Sequence, residues 1–278
     1  MSTQSKFRQV LQNIYQEPHG ITLITGAWKT GKTNFALHLL ELLMEMGLVS
    51  EAAGNIRIFK DVDYEVTTDT PVRYIDNFAL MKAWMYKDSH KTHEKIHRKY
   101  FIFDESMGNA PSKRAMTQLN AEWQKVVPEL SKGKVQLIAL TQEESMTERI
   151  FRHPTFNIAT WTKINLPKRH PQHLKRVRVS SKLLKESFIF NNISQTNIIY
   201  NPYLIAPWSM EPLNVETMFD DCLELKIARS YATGLSTDKI VELFPEVKDR
   251  KEATRYVKKG IVLLLDKWQV AKVSSGIS

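Results

Sequence analysis

Only one cysteine, Cys222, occurs in the 278 residues. A single thiol excludes an internal disulfide framework and suits a reducing compartment. No apolar run approaches the about 20 residues that a membrane span requires. The opening residues, Met1 to Gln12, lack the apolar core of a signal peptide. There is no internal repeat and no low-complexity tract. Acidic residues are also in deficit: 30 Asp and Glu face 39 Lys and Arg, giving a formal charge of +9. These absences argue against a secreted scaffold, a membrane-embedded protein and a fibrous chain. They lead us to expect a cytoplasmic protein. The basic surplus favours an acidic partner, nucleic acid first and an anionic membrane surface second. The length allows one large domain, or a large one and a small one.

Against that background one segment stands out. Ile21 to Thr25 reads as a buried strand with no breaker inside it. Gly26-Ala27-Trp28-Lys29-Thr30-Gly31-Lys32-Thr33 follows and fits the phosphate-binding loop G-x-x-x-x-G-K-[ST] at every fixed position. From Asn34 to Met46, apolar residues recur at helical spacing: Phe35, Leu39, Leu42, Leu43 and Met46. Strand, glycine loop and helix form the context that the motif requires. The glycines let successive N–H groups point into one concavity, and the helix adds its positive N-terminal end. Lys32 would reach the β- and γ-phosphates of ATP, and the Thr33 hydroxyl would take a place on Mg²⁺.

A P-loop needs an acidic partner across the metal. Lys99 to Phe103 reads as a buried strand that ends in Asp104 and Glu105. Asp104 would hold Mg²⁺, and Glu105 would activate the attacking water as general base. The base suits a hydrolase, since a small-molecule kinase needs no water-activating group there. The next apolar strand, Val135 to Leu140, ends in Thr141 and Gln142. The C-terminal ends of parallel strands face the ligand crevice, so Gln142 is the candidate sensor of the γ-phosphate or the water. Beyond it, Arg149 and Arg152 lie three residues apart, on one face of a helix. Either would serve a neighbouring subunit's γ-phosphate in trans, or form an ordinary surface ion pair.

The order GAWKTGKT, FIFDE, helix, VQLIALTQ and an arginine-bearing segment resembles the RecA-like motors of the HerA/FtsK superfamily. These are DNA translocases, conjugation ATPases and viral genome-packaging ATPases. The resemblance covers about residues 15–165. The strand ending in Thr-Gln after one ending in Asp-Glu is its most specific part. It implies nucleotide and Mg²⁺ on Lys32 and Thr33, metal and base carboxylates on Asp104 and Glu105, and a sensor at Gln142. It also implies a ring homo-oligomer, usually a hexamer, on double-stranded DNA. Trp28 and Lys29 depart from the family, filling loop positions that are often small. Trp28 would cover the nucleotide or pack on a neighbour.

Strand candidates run Ile21–Thr25, Ile56–Val62, Val72–Ile75, Tyr100–Asp104, Val135–Thr141 and Phe156–Lys163, mostly separated by helical stretches. The expected fold is α/β: a RecA-like P-loop core with a mainly parallel sheet and helices on both faces. His90, His93 and His97 share a helical spacing, but the lysines around them oppose a zinc site and favour a solvated basic segment. Lys163 to Lys185 is strongly basic and contains no acid. Alternation through Leu174 to Val179 suggests a hairpin whose basic face, with Lys168, Arg169, Lys175, Arg176 and Arg178, would neutralise DNA phosphates without reading sequence. A solvated hairpin with no partner is the plainer reading.

Residues 207–215 read as a linker from the core, 1–206, to a small all-α unit, 216–278. That unit has a first helix ended by Gly234, a second capped by Ser236, and a third with Asp249 and Glu252 as a capping box. Three short helices with a Gly-Leu-Ser turn resemble a helix-turn-helix DNA-binding module. It would present Arg250, Lys251, Thr254 and Arg255 to the major groove. A helical cap or oligomerisation bundle is the other reading. The leading expectation is therefore a DNA motor ATPase. The alternatives are an AAA+-like ATP-switched initiator or transposition regulator, and a phage assembly or secretion ATPase like the zonula-occludens-toxin-like proteins.

Overall fold

The computed structural model describes residues 3–59, 70–86, 98–104, 118–164, 176–202, 206, 208, 223–232 and 235–274. Its centre is an eight-stranded sheet in the order β4-β2-β5-β6-β1-β7-β8-β9. The strands are β1 (Gly20–Thr25), β2 (Glu51–Gly54), β4 (Arg73–Tyr74), β5 (Lys99–Phe103), β6 (Val135–Thr141), β7 (Asn157–Lys163), β8 (Val177–Ser180) and β9 (Phe188–Phe190). Pairing is parallel from β4 through β7 and antiparallel from β7 to β9. This is the α/β, RecA-like P-loop core expected from the alternation of strands and helices. β1, β5 and β6 are buried along their whole length, as parallel strands covered on both faces must be.

Two buried clusters cover the sheet. On one side lie α1 (Thr3–Ile14) and α2 (Lys32–Glu45), with Phe7, Leu11, Phe35, Leu39 and Trp161 among the buried residues. Phe7, Val10, Leu11 and Ile14 of α1 repeat at helical spacing and are all buried. The other cluster is strongly aromatic and includes α3 (Phe78–Tyr86), α4 (Gln118–Val126) and the short α5 (Leu130–Gly133). Phe78, Phe101, Phe103 and Trp123 surround Trp208, whose ring stacks on Trp123 at 5.8 Å between centroids. Trp208 belongs to the segment read as a linker.

The second expected strand is displaced. The sheet takes Glu51–Gly54, and among the described residues of the expected stretch the strand is Ile58–Phe59 (β3), paired antiparallel with β10 (Ile199–Tyr200) outside the main sheet. Ala-Ala-Gly has little intrinsic strand preference, and pairing between β4 and β5 overrides it.

At the C-terminus stand α7 (Leu223–Ala232), α8 (Thr237–Leu243) and α9 (Arg250–Ser274). Leu225, Ile227, Ala228, Ile240, Val257, Ile261 and Leu264 belong to the same buried cluster as Met81 and Trp84 of α3. Ser236 caps α8 by accepting the Lys239 N–H at 3.4 Å. Asp249 accepts the Glu252 N–H at 2.8 Å, while the Glu252 carboxylate takes the Lys248 N–H at 2.9 Å, one residue outside a standard capping box. The expected helix end at Gly234, the His90, His93 and His97 trio, and most of 207–215 lie outside the described residues.

Candidate nucleotide site

The loop between β1 and α2 closes on itself through its own polar groups. The Thr30 hydroxyl donates to the Ala27 carbonyl at 2.7 Å. The Gly26 N–H donates to the Gln142 carbonyl at 3.1 Å, which ties the loop to the end of β6. Gly31 stands at the N-cap of α2 with φ 79°, in the left-handed region that a side chain disfavours. Gly26 has φ 152°, and a Cβ there would lie 2.8 Å from the Lys163 Cβ. Lys29 adopts φ 58°, an uncommon conformation for a non-glycine residue. Trp28 is 76% exposed on the outside of the loop.

The Lys32 ammonium donates to the Gly26 and Ala27 carbonyls at 3.0 and 3.1 Å, so it lies over the loop. Burial lowers its pKa, and the Asp104 charge works against that shift. The Thr33 hydroxyl donates to Asp104 Oδ2 at 2.8 Å. Two residues distant in sequence thus meet at the first turn of α2, one with a hydroxyl and one with a carboxylate. Both are hard oxygen donors of the kind that Mg²⁺ accepts, so the pair fits that ion. The positive end of α2 and the lysine make the rest of the loop fit a phosphate chain.

Asp104 is held by a residue that the sequence reading missed. The Asn55 side-chain amide donates to the Asp104 carbonyl at 3.2 Å, and its Oδ1 accepts the Asp104 N–H at 2.8 Å. Asn55 is 1% exposed and follows the last residue of β2, next to β5. The overlooked strand carried the only sequence signal: a buried Asn at the C-terminal end of a parallel strand, facing the ligand crevice.

The other candidates fall in several places. Thr141 is buried, and its hydroxyl donates to the Glu143 carbonyl at 2.9 Å. Gln142 lies beside the loop. Asn34 follows Thr33 in the first turn of α2. Arg149 is exposed and Arg152 half-buried on the short helix α6 (Arg149–Arg152). Glu105, Lys168, Arg169 and Lys175 lie outside the described residues. Arg178 points outward from β8 between buried Val177 and Val179, whereas Arg176 is half-buried. Lys163 departs from the reading of a solvated basic segment. It is 5% exposed, with its ammonium 5.6 Å from the centre of the Phe35 ring, and burial lowers its pKa to about 8. Arg250 pairs with Asp238 at 2.7 Å and Arg255 with Glu252 at 3.3 Å, while Lys251 is exposed.

No family model matches the chain, and no curated protein matches it. Among solved structures it is similar to the genome packaging NTPase of Sulfolobus turreted icosahedral virus 2 in complex with ATP-gammaS. The identity is 14% and the TM-score 0.45, over 64% of this chain and 99% of that one. It is also similar to the N-terminal domain of zonular occludens toxin from Neisseria meningitidis, at 15% identity and TM-score 0.37, over 66% and 97%. The cytoplasmic domain of the Type VII secretion ATPase EccC of Thermomonospora curvata gives 12% and 0.40, over 64% of this chain and 24% of that one. At this identity and score, activity has to be argued from the site itself. The chain itself has a P-loop on a RecA-like α/β core, with Thr33 and Asp104 brought together at its mouth.

Proposed function

We propose that this protein is an ATP-hydrolysing DNA motor that works as a ring homo-oligomer, a hexamer, on double-stranded DNA. Its task would be translocation, genome packaging or DNA transfer. The observation that carries the ATPase reading is the Thr33 hydroxyl 2.8 Å from Asp104 at the mouth of a P-loop. Lys32 and the loop N–H groups bind the β- and γ-phosphates, and Gly31 lets the loop turn into α2. Mg²⁺ on Thr33 and Asp104 would neutralise charge on the transferring phosphoryl group. Glu105 takes the proton of the attacking water as its oxygen bonds to the γ-phosphorus and ADP leaves. Gln142 orients that water, and Arg149 or Arg152 of a neighbour supplies positive charge. Arg178, outward-facing beside the basic connection from β7 to β8, is suited to a phosphate backbone. Cations on α9 would offer a second contact.

A second reading, an ATP-switched DNA-binding initiator or regulator, is favoured by the three C-terminal helices, two of them capped by Ser236 and Asp249. Steady-state ATP hydrolysis with and without long double-stranded DNA, measured beside Glu105→Gln, separates the two. A motor gives turnover that grows with DNA length and is lost in the variant. Slow turnover indifferent to length, with ATP-dependent binding to one sequence, favours the regulator. No turnover under any condition overturns the catalytic roles of Asp104 and Glu105.

A further inference from the structure

We infer that Tyr200 is a positioning residue of the nucleotide site, holding the first turn of α2 and Asp104 in the arrangement that takes metal-bound nucleotide. The inference rests on the ATPase reading and adds a residue to it. Tyr200 is far from the P-loop in sequence and belongs to no motif. Strand β10 brings it back by pairing Tyr200 with Ile58 just beyond β2. There it lines a cleft with Thr33, Asn55, Arg57, Asp104 and Asn201. Its phenol oxygen comes within hydrogen-bonding reach of both the backbone and the side chain of Asn34, and it feels the charge of Asp104.

The first N–H groups of a helix have no partner within it, and Gly31 offers no side-chain cap. The Tyr200 oxygen stands beside Asn34, where a capping side chain otherwise would, and shares a cleft with Thr33 and Asp104, so it steadies the turn at Thr33. Burial first, then the Asp104 charge, push the phenol up to about 12, with Asn34 working against both. The phenol stands in the cleft that Thr33 and Asp104 line.

The test is binding of a fluorescent ATP analogue to the full chain, titrated in EDTA and then with increasing Mg²⁺. Tyr200→Phe keeps the ring and removes only the oxygen. It should leave affinity in EDTA within about twofold and raise the Mg²⁺ needed for tight binding about tenfold, the usual effect of losing an outer partner of a metal ligand. Asn34→Ala removes the side-chain half of the contact and should shift the same curve in the same direction, and it carries the test if Tyr200→Phe does not fold. Unchanged Mg²⁺ dependence in the folded variants, or equal weakening with and without Mg²⁺, overturns the positioning role while leaving the ATPase reading intact. If the wild-type chain does not bind the analogue, the ATPase reading falls, and the role of Tyr200 falls with it.

Discussion

At the P-loop, Lys32, Thr33 and Asp104 are drawn against backbone and against one another, whereas in the C-terminal helices Arg250 and Arg255 lie on the surface beside Asp238 and Glu252. The first set is partly buried, so each polar group must have a partner in a fixed position. The second set is solvated, and such pairs contribute little and exchange partners easily. A site for a compact phosphate chain uses the first arrangement. A surface that contacts a long polyanion can use the second, since Asp238 and Glu252 release their arginines at modest cost. The two regions should therefore fail differently when altered.

The largest effect is expected where the C-terminal helices cross. A Cβ on Gly260 of α9 would meet the Glu224 carbonyl of α7, which is backbone and cannot swing aside. Gly260→Ala should cost about 3 kcal/mol, the upper range for overpacking, read as a fall in Tm. Affinity for ATP, measured well below that Tm, should stay within about twofold. Loss of ATP binding in the folded variant would show that the two regions are not separable.

Next comes Lys163, packed beside Gly26. Its folded pKa of about 8 lies below the 10.5 of the unfolded chain, so the unfolded state holds more protons between those values. Stability should rise with pH across that window, with the full cost present below about pH 8. The difference between wild type and Lys163→Met should change by on the order of 3 kcal/mol between pH 7.5 and 10.5 in urea melts. A flat difference would contradict burial of the charged form.

Asn55→Ala leaves the Asp104 N–H without its acceptor. The expected cost is about 1–3 kcal/mol in stability, together with weaker Mg²⁺-dependent nucleotide binding. Stability lost with binding unchanged would make Asn55 purely structural. The smallest effect belongs to the surface: Arg250→Ala should change stability by less than about 1 kcal/mol. If the chain binds DNA as proposed, the weakening caused by this variant should shrink as salt is raised. An effect of several kcal/mol would show that the Arg250–Asp238 pair is not the solvated contact described.

Much of the nucleotide site could be read from the sequence because its chemistry is local. The P-loop, the helix after it and the acidic end of β5 are each specified by consecutive residues. Asn55 and Tyr200 could not be read in the same way. Each works through contacts that β2 and β10 create, and both strands are short, with little hydrophobic run to mark them. The helix α1 did have a readable signal in the spacing of Phe7, Val10, Leu11 and Ile14. Lys163 misled for a different reason: composition counts a lysine as surface charge, but its place at the end of β7 puts it against Gly26 and Phe35. Ser236 and Asp249 were legible as caps because capping is a short-range property.

In the proposed mechanism the β1–α2 loop and Asp104 form one site for Mg²⁺ and ATP. Calorimetric titration of ATP into wild type, Lys32→Ala and Asp104→Ala, each with Mg²⁺ and with EDTA, tests it most directly. Lys32→Ala should weaken binding about 100-fold in both conditions, the loss of a desolvated charged contact of nearly 3 kcal/mol. Asp104→Ala should weaken it only when Mg²⁺ is present. Affinities unchanged in both folded variants would contradict the site.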